Sequence, residues 1–311
     1  MDRIICVVGP TASGKTKLAV ELAKALNGEV LSCDSMQVYK NMVIGTAAPT
    51  LEEMDGVPHH MIGCIDPAED FSAGKYVEMA DGILRDILRR GRTVILTGGT
   101  GLYADSLISG RSFAPYPATG RRQALEKEAA ELGIEPLLAR LRLVDPASAD
   151  RLHPSDEKRI IRALEIFEET GVSMTEHDRL SRLTPPKYRP FWLGLDYKSR
   201  AELYARIDSR VDRMLEAGLL DEIRSLLASG VPENATAMQA IGYKEFVCAL
   251  RGGGSLEQAA SLVRQRSRNY AKRQLTWFRR NPQIHWIMQT SEMKFDEVFR
   301  AARQEIPEFS E

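Results

Sequence analysis

The sequence predicts an α/β protein: a parallel sheet flanked by helices, with a phosphate-binding P-loop at one strand end and an inserted helical domain. Three observations carry this. Short apolar runs alternate with amphipathic stretches, the pattern of βα units. Gly9–Thr16 reads G-x-x-x-x-G-K-T between one such run and one such stretch. A purely helical segment, bracketed by prolines, then interrupts the alternation.

Ile4–Val8 is a continuous apolar run closed by Gly9-Pro10, which predicts a strand covered on both faces. Lys15–Leu26 predicts a helix, with Leu18, Leu22, Ala25 and Leu26 at helical spacing. Glu29–Cys33 predicts a second strand, ending at Asp34. A helix is expected from about residue 75, and Thr93–Leu96 is a further buried strand running into Thr97-Gly98-Gly99-Thr100. Pro115-Tyr116-Pro117 and Pro185-Pro186 with Pro190 bracket helical patterns at Arg121–Leu132, Pro136–Leu143 and Asp156–Thr170. The expected division is therefore a core of residues 1–112 and 191–311 with an insertion at 113–190. Phe191–Leu195 returns to the sheet, followed by helices near 199–217, 219–229 and 255–280 and a short strand at Ile284–Met288.

Composition limits the function classes. With 43% hydrophobic and 27% charged residues and a net charge of −1, the chain is neither disordered nor basic overall. Cys6, Cys33, Cys64 and Cys248 form no Cys-x-x-Cys pair, so neither a zinc ribbon nor a thioredoxin-like site is indicated and a reducing cytosol is expected. The apolar start is too short for a signal peptide, and no run approaches the roughly 20 residues of a membrane span. A cytoplasmic protein without a membrane partner is expected. His59-His60 invites a metal, but adjacent side chains point apart on regular structure.

The loop Gly9, Pro10, Thr11, Ala12, Ser13, Gly14, Lys15, Thr16 carries the first chemistry. Its glycines let successive backbone N–H groups face one cavity, and the helix N-terminus adds partial positive charge. Lys15 offers an ammonium to phosphate oxygens and Thr16 a hydroxyl to Mg²⁺. The motif specifies polyphosphate, not hydrolysis. Val94–Leu96 runs into Thr97–Thr100 without the acid a nucleoside triphosphatase places there, and Asp34 is the carboxylate at a strand end facing the loop. On residues alone, a small-molecule kinase using ATP and a non-catalytic RNA-binding P-loop module stay open. The absence of Asn-Lys-x-Asp disfavours the second.

Further segments narrow this. Gly9–Thr16, Asp34-Ser35-Met36-Gln37-Val38-Tyr39, Gly45-Thr46-Ala47-Ala48-Pro49, Pro58-His59-His60 and Gly98-Gly99-Thr100-Gly101-Leu102-Tyr103 resemble the isopentenyltransferase family of bacterial tRNA dimethylallyltransferases. His153–Glu165, Gln239–Glu245 and Arg273–Trp277 continue the resemblance over nearly the whole chain. The chain departs from the pattern at Ala48, where the family often carries lysine. The resemblance implies transfer of dimethylallyl from its diphosphate to N6 of the adenine 3′ to the anticodon, on a tRNA anticodon stem-loop; Mg²⁺ at Thr16 and a monomer are expected. It implies Asp34 as general base, Thr100 at the reaction centre, Lys15 on the leaving diphosphate and Arg210 as a diphosphate contact. It further implies tRNA contacts from Ser35, Met36 and Gln37, from Lys158, Arg159, Ile160, Ile161 and Arg162, and from Gln239, Ala240, Ile241, Gly242, Tyr243 and Lys244.

Charge adds two expected RNA surfaces. Arg264, Arg266, Arg268, Lys272, Arg273, Arg279 and Arg280 follow one another with no acidic residue between Gln258 and Arg280, an electrostatic footprint for a phosphate backbone. Arg121 and Arg122, with Lys158, Arg159 and Arg162, suggest a second. Arg206, Arg210 and Arg213 share a helix face, but the interleaved Asp208 and Asp212 make a solvated surface the expectation there.

Overall fold

The computed structural model describes residues 2–111, 119–183 and 185–307. Pro115-Tyr116-Pro117, the first expected boundary, lies outside them. The chain divides into two compact units. One runs up to Gly110 and resumes at Lys187; the other is Arg111–Pro186. Lys187–Pro190 therefore belongs with the core and not with the insertion. Tyr188 shows why: its N–H donates to the Ile108 carbonyl at 3.1 Å and its hydroxyl to Asp81 at 2.7 Å.

The first unit contains β1 (Ile4–Val8), α1 (Lys15–Ala25), β2 (Gly28–Ser32), α2 (Leu51–Met54), β3 (His59–His60), α3 (Ala73–Arg89), β4 (Thr93–Gly98) and α4 (Gly101–Ser109). The second contains α5 (Arg121–Leu132), α6 (Glu135–Val144), α7 (Pro146–Arg151), α8 (Glu157–Thr170) and α9 (Met174–Leu183). The first unit then resumes with β5 (Phe191–Tyr197), α10 (Arg200–Glu216), α11 (Leu219–Ala228), α12 (Tyr243–Leu250), α13 (Leu256–Phe278), β6 (Ile284–Gln289) and α14 (Phe295–Glu305).

All strand pairs are parallel, in the order β3-β2-β4-β1-β5-β6. β1 is central, and its alternate residues feed two cores. Ile4, Cys6 and Val8 pack with α3, α4 and α11–α13, while Ile5 and Val7 pack with α1 and α14. Burial on both faces is the reason the run shows no polar alternation. The second unit closes on its own core, in which Leu125 of α5 and Leu137 and Leu141 of α6 meet Ile160, Ile161 and Leu164 of α8.

The sheet order positions the site. Because β2, β4 and β1 are consecutive neighbours running the same way, their carboxyl ends deliver Asp34, the Gly98–Thr100 turn and the P-loop to one edge. Gly9 has φ +142°, and a Cβ there would lie 2.3 Å from the Leu195 carbonyl oxygen of β5, so only glycine lets the loop leave β1 this closely.

Candidate active site

Two cavities open at this edge. The larger, about 780 Å³, is floored by Ser13–Lys17 and faced by Arg206, Arg210 and Arg213 of α10. The smaller, about 290 Å³, is lined by Asp34, Ser35, Met36, Thr11, Gln239, Ala240, Ile241 and Tyr270, among others. Arg210 and Met214 line both.

In the larger cavity Lys15 donates to the Pro10 carbonyl at 2.7 Å, folding its ammonium over the loop. Burial, with Arg210 beside it, lowers the Lys15 ammonium to about 8, and burial also lowers Arg210. Two half-buried cations side by side, with Asp34 acting on both, offer positive charge to an anion in this cavity. The Ser13 hydroxyl is buried without a hydrogen-bond partner among the described residues, while the Ser13 carbonyl accepts from Gln289 of β6 at 3.0 Å. A buried orphan of this kind in a phosphate loop fits an incoming oxygen.

Arg206 and Arg213 of α10 are exposed, as expected of a solvated face, whereas Arg210 is half-buried. Arg206 donates to the Ala12 carbonyl at 3.1 Å and Arg210 to the Thr46 carbonyl at 3.2 Å. Asp208 and Asp212 instead turn to α13, where they pair with Arg268 and Arg264. Helical spacing separates the two sets: 206, 210 and 213 form one stripe, 208 and 212 another.

At the smaller cavity Asp34 Oδ1 accepts the N–H groups of Met36 at 2.9 Å and Gln37 at 3.3 Å. This turn fixes the carboxyl plane and leaves Oδ2 as the second oxygen. Thr100 Oγ1 accepts from the Ser35 N–H at 3.0 Å, tying the β4 turn to the segment after β2. Gln274 of α13 is a site residue to which the sequence pattern assigns no role. Its Oε1 accepts from the Thr11 N–H at 2.8 Å and its Nε2 donates to the Gly99 carbonyl at 3.0 Å, joining the phosphate loop to that turn. Gly99 and Gly101 are required here because a Cβ on them would collide with Gln274 and Trp277.

Several residues expected at the RNA are engaged elsewhere. The Gln37 amide is bonded within the protein: Oε1 accepts from Ser32 at 3.2 Å and Nε2 donates to the Ala47 carbonyl at 3.0 Å. Ile160 and Ile161 are buried in the core of the second unit, and Tyr243 is buried against Gly45, so their side chains serve packing. Arg122 and Arg162 both pair with Glu165, Arg121 pairs with Glu168, and Arg159 with Asp156, while Lys158 is exposed. Gln239, Ala240 and Ile241 do line the smaller cavity; Gly242 is the N-cap of α12 and Lys244 is exposed.

The basic run of α13 is also less bare than its sequence. Arg264 pairs with Asp212, Arg266 with Glu245, Arg268 with Asp208 and Arg279 with Asp196. Lys272, Arg273 and Arg280 have no ion pair among the described residues and lie over the rings of Tyr204, Tyr270 and Trp277. His60 of the His59-His60 pair bonds Glu29 at 2.8 Å.

A parallel sheet with a phosphate loop after β1, a carboxylate after β2 and an arginine stripe facing the loop defines a P-loop transferase. The IPP transferase family profile matches residues 37–281 and the isopentenyl transferase profile residues 2–69. The tRNA dimethylallyltransferase of Caldanaerobacter subterraneus subsp. tengcongensis is 44% identical over 298 residues, covering 95% of each chain. That of Geobacter metallireducens is 46% identical over 296 residues, again covering 95% of each. The solved structure of the full-length tRNA isopentenylpyrophosphate transferase of Bacillus halodurans aligns with TM-score 0.73 and 41% identity, covering 100% of this chain and 98% of that one. A eukaryotic dimethylallyltransferase acting on tRNA aligns with TM-score 0.81 and 30% identity, covering 97% and 78%. The chain belongs to the IPP transferase family.

Proposed function

We propose that the protein transfers a dimethylallyl group from dimethylallyl diphosphate to N6 of the adenine 3′ to the anticodon in tRNA, releasing diphosphate. The observation that carries this reading is the convergence of the half-buried Lys15–Arg210 pair and Asp34 on two cavities that share Arg210. One provides for departing anionic charge, the other for a departing proton. As the allylic C–O bond breaks, its electron pair passes to the diphosphate, where the P-loop amides, Lys15 and Arg210 stabilise it. As the N–C bond forms, the exocyclic amine becomes acidic and Asp34 Oδ2 accepts its proton.

The donor set of the larger cavity suits Mg²⁺, which takes phosphate oxygens and few protein ligands. Thr16 would hold it, and it would add positive charge beside the diphosphate. Among the described residues no helix is long and apolar enough to cross a membrane, and no cluster of His, Cys, Asp and Glu forms an all-protein metal cage. For tRNA, Lys272 and Arg273 of α13, Arg280 just beyond it and Lys158 of α8, none with an ion pair among the described residues, are the proposed backbone contacts. The test is one assay of unmodified tRNA with labelled dimethylallyl diphosphate, run beside labelled ATP. Label is expected in the tRNA from the prenyl donor. Label passing only from ATP to a small molecule overturns the reading.

A further inference from the structure

The segment Val43–Ala48 borders both cavities. Val43, Ile44, Ala47 and Ala48 line the larger, and Gly45 and Thr46 line the smaller. It has no regular secondary structure, and Ala47 sits at φ +45°, a conformation few alanines adopt without support. Its own turn bonds, from the Ala47 N–H to the Ile44 carbonyl and the Ala48 N–H to the Val43 carbonyl at 3.0 Å each, are joined by support from outside the site. Three successive N–H groups, of Val43, Ile44 and Gly45, converge on the Glu222 carboxylate of α11 at 2.8, 2.7 and 3.1 Å. The Tyr243 hydroxyl of α12 donates to the same carboxylate at 2.6 Å. The Tyr243 ring fills the place where a Gly45 side chain would stand, 2.5 Å from an added Cβ. Glu222 lines neither cavity.

We propose that Glu222 is a positioning residue of the active site: by gathering the 43–45 amides it sets the Thr46 carbonyl that holds Arg210 between the two cavities. The linkage is short. Glu222 fixes the loop backbone, Thr46 follows directly in sequence, and its carbonyl accepts from Arg210 at 3.2 Å. The loop end is braced again where Gln37 donates to Ala47. A row of backbone N–H groups facing one way attracts an anion, and a carboxylate answers it with charge-assisted bonds. Glutamine keeps the shape but offers one acceptor oxygen and turns an NH₂ group toward amides that also donate. Loop and arginine then lose their common register.

The inference rests on the proposed function in taking Arg210 as a diphosphate ligand. Its test is a double-mutant cycle in the full chain, reading inorganic diphosphate binding by calorimetry with Mg²⁺, kcat/KM for dimethylallyl diphosphate, and thermal melting. Glu222→Gln is expected to weaken diphosphate binding and lower kcat/KM on the order of tenfold, the scale of losing a hydrogen bond to a charged group. Arg210→Ala is expected to lose more, and the double variant no more than Arg210→Ala alone, because both changes remove one interaction. Tyr243→Phe, which removes one hydroxyl, shifts binding the same way by less and covers the case in which Glu222→Gln melts early. Losses that add, or a lowered melting temperature with unchanged diphosphate binding, overturn the inference. Absence of prenyl transfer by the unmutated protein overturns the functional reading instead, while diphosphate binding still decides the role of Glu222.

Discussion

Asp34 and Lys15 illustrate how one residue's surroundings set its chemistry. With Oδ1 held by the Met36 and Gln37 amides, Asp34 is aimed and cannot swing away. Asp34→Asn preserves that turn yet cannot take a proton, so single-turnover prenyl transfer is expected to slow by roughly 10²–10⁴-fold with tRNA and donor binding nearly unchanged. Collapse of tRNA affinity with a near-normal rate would make Asp34 a positioning residue. Burial beside Arg210 lowers the Lys15 ammonium to about 8. Only its charged form attracts diphosphate, so affinity is expected to fall as pH rises through about 8, with proton uptake on binding in that range. The Lys15→Ala variant should show neither effect and should turn over about 10²-fold more slowly. The folding linkage has a matching sign. From about 8 up to the ordinary lysine value, the unfolded chain holds more protons than the folded one, so this residue's penalty on stability is relieved as pH rises.

At the scale of elements, α13 does three jobs with one sequence. Its Gln274 and Trp277 clip the P-loop and the β4–α4 turn, with Trp277 donating to Asp105 at 2.7 Å. Its Arg264, Arg266 and Arg268 bind α10 and α12 through acids, leaving Lys272, Arg273 and Arg280 for an external anion. Replacing those three with alanine is expected to flatten the dependence of log tRNA affinity on log salt by roughly 0.7–0.9 for each RNA phosphate that is no longer neutralised. Replacing Arg264 and Arg268 should leave that slope nearly unchanged and lower stability modestly, by about 1 kcal/mol or less for each partly exposed pair. Equal slope changes from both sets would show that the ion pairs open when RNA binds.

For the whole molecule, the two units are separable in the chain because the core closes behind the second one. Gly110 and Lys187 adjoin, an added Cβ on Gly110 lying 2.7 Å from Lys187 Cβ. Joining them by a short linker in place of Arg111–Pro186 is expected to give a core that melts cooperatively and still binds inorganic diphosphate, with reduced tRNA affinity. Unchanged tRNA affinity in a filter-binding titration would remove the insertion from the RNA-binding surface. The core holds both cavities and all the residues proposed for chemistry, so loss of diphosphate binding would also contradict this division.

The local features were legible because their causes are local. Ile4–Val8 reads as a doubly covered strand from its unbroken apolar run, Lys15–Leu26 as a helix from its spacing, with Leu26 its C-cap, and Gly9–Thr16 as a phosphate loop from the glycines its turns require. The ordering of Asp34, Thr100 and the P-loop along one edge follows from parallel strands, which alternating βα units already imply. Short elements after glycine turns, such as α4 and α12, were not legible: α4 is buried nearly throughout and shows no polar stripe, and α12, though Tyr243, Phe246 and Val247 stand at helical spacing, is only eight residues long. Nor were the partnerships. Gln274 meets Thr11 across 263 residues and Glu222 meets Ile44 across 178. The acids that neutralise α13 come from α10, α12 and β5, so a run bare in sequence is largely paired in space. Periodicity and turn chemistry act within a few residues and are written in the chain. Electrostatic compensation and the bracing of an irregular loop act through space, and only the folded arrangement decides them.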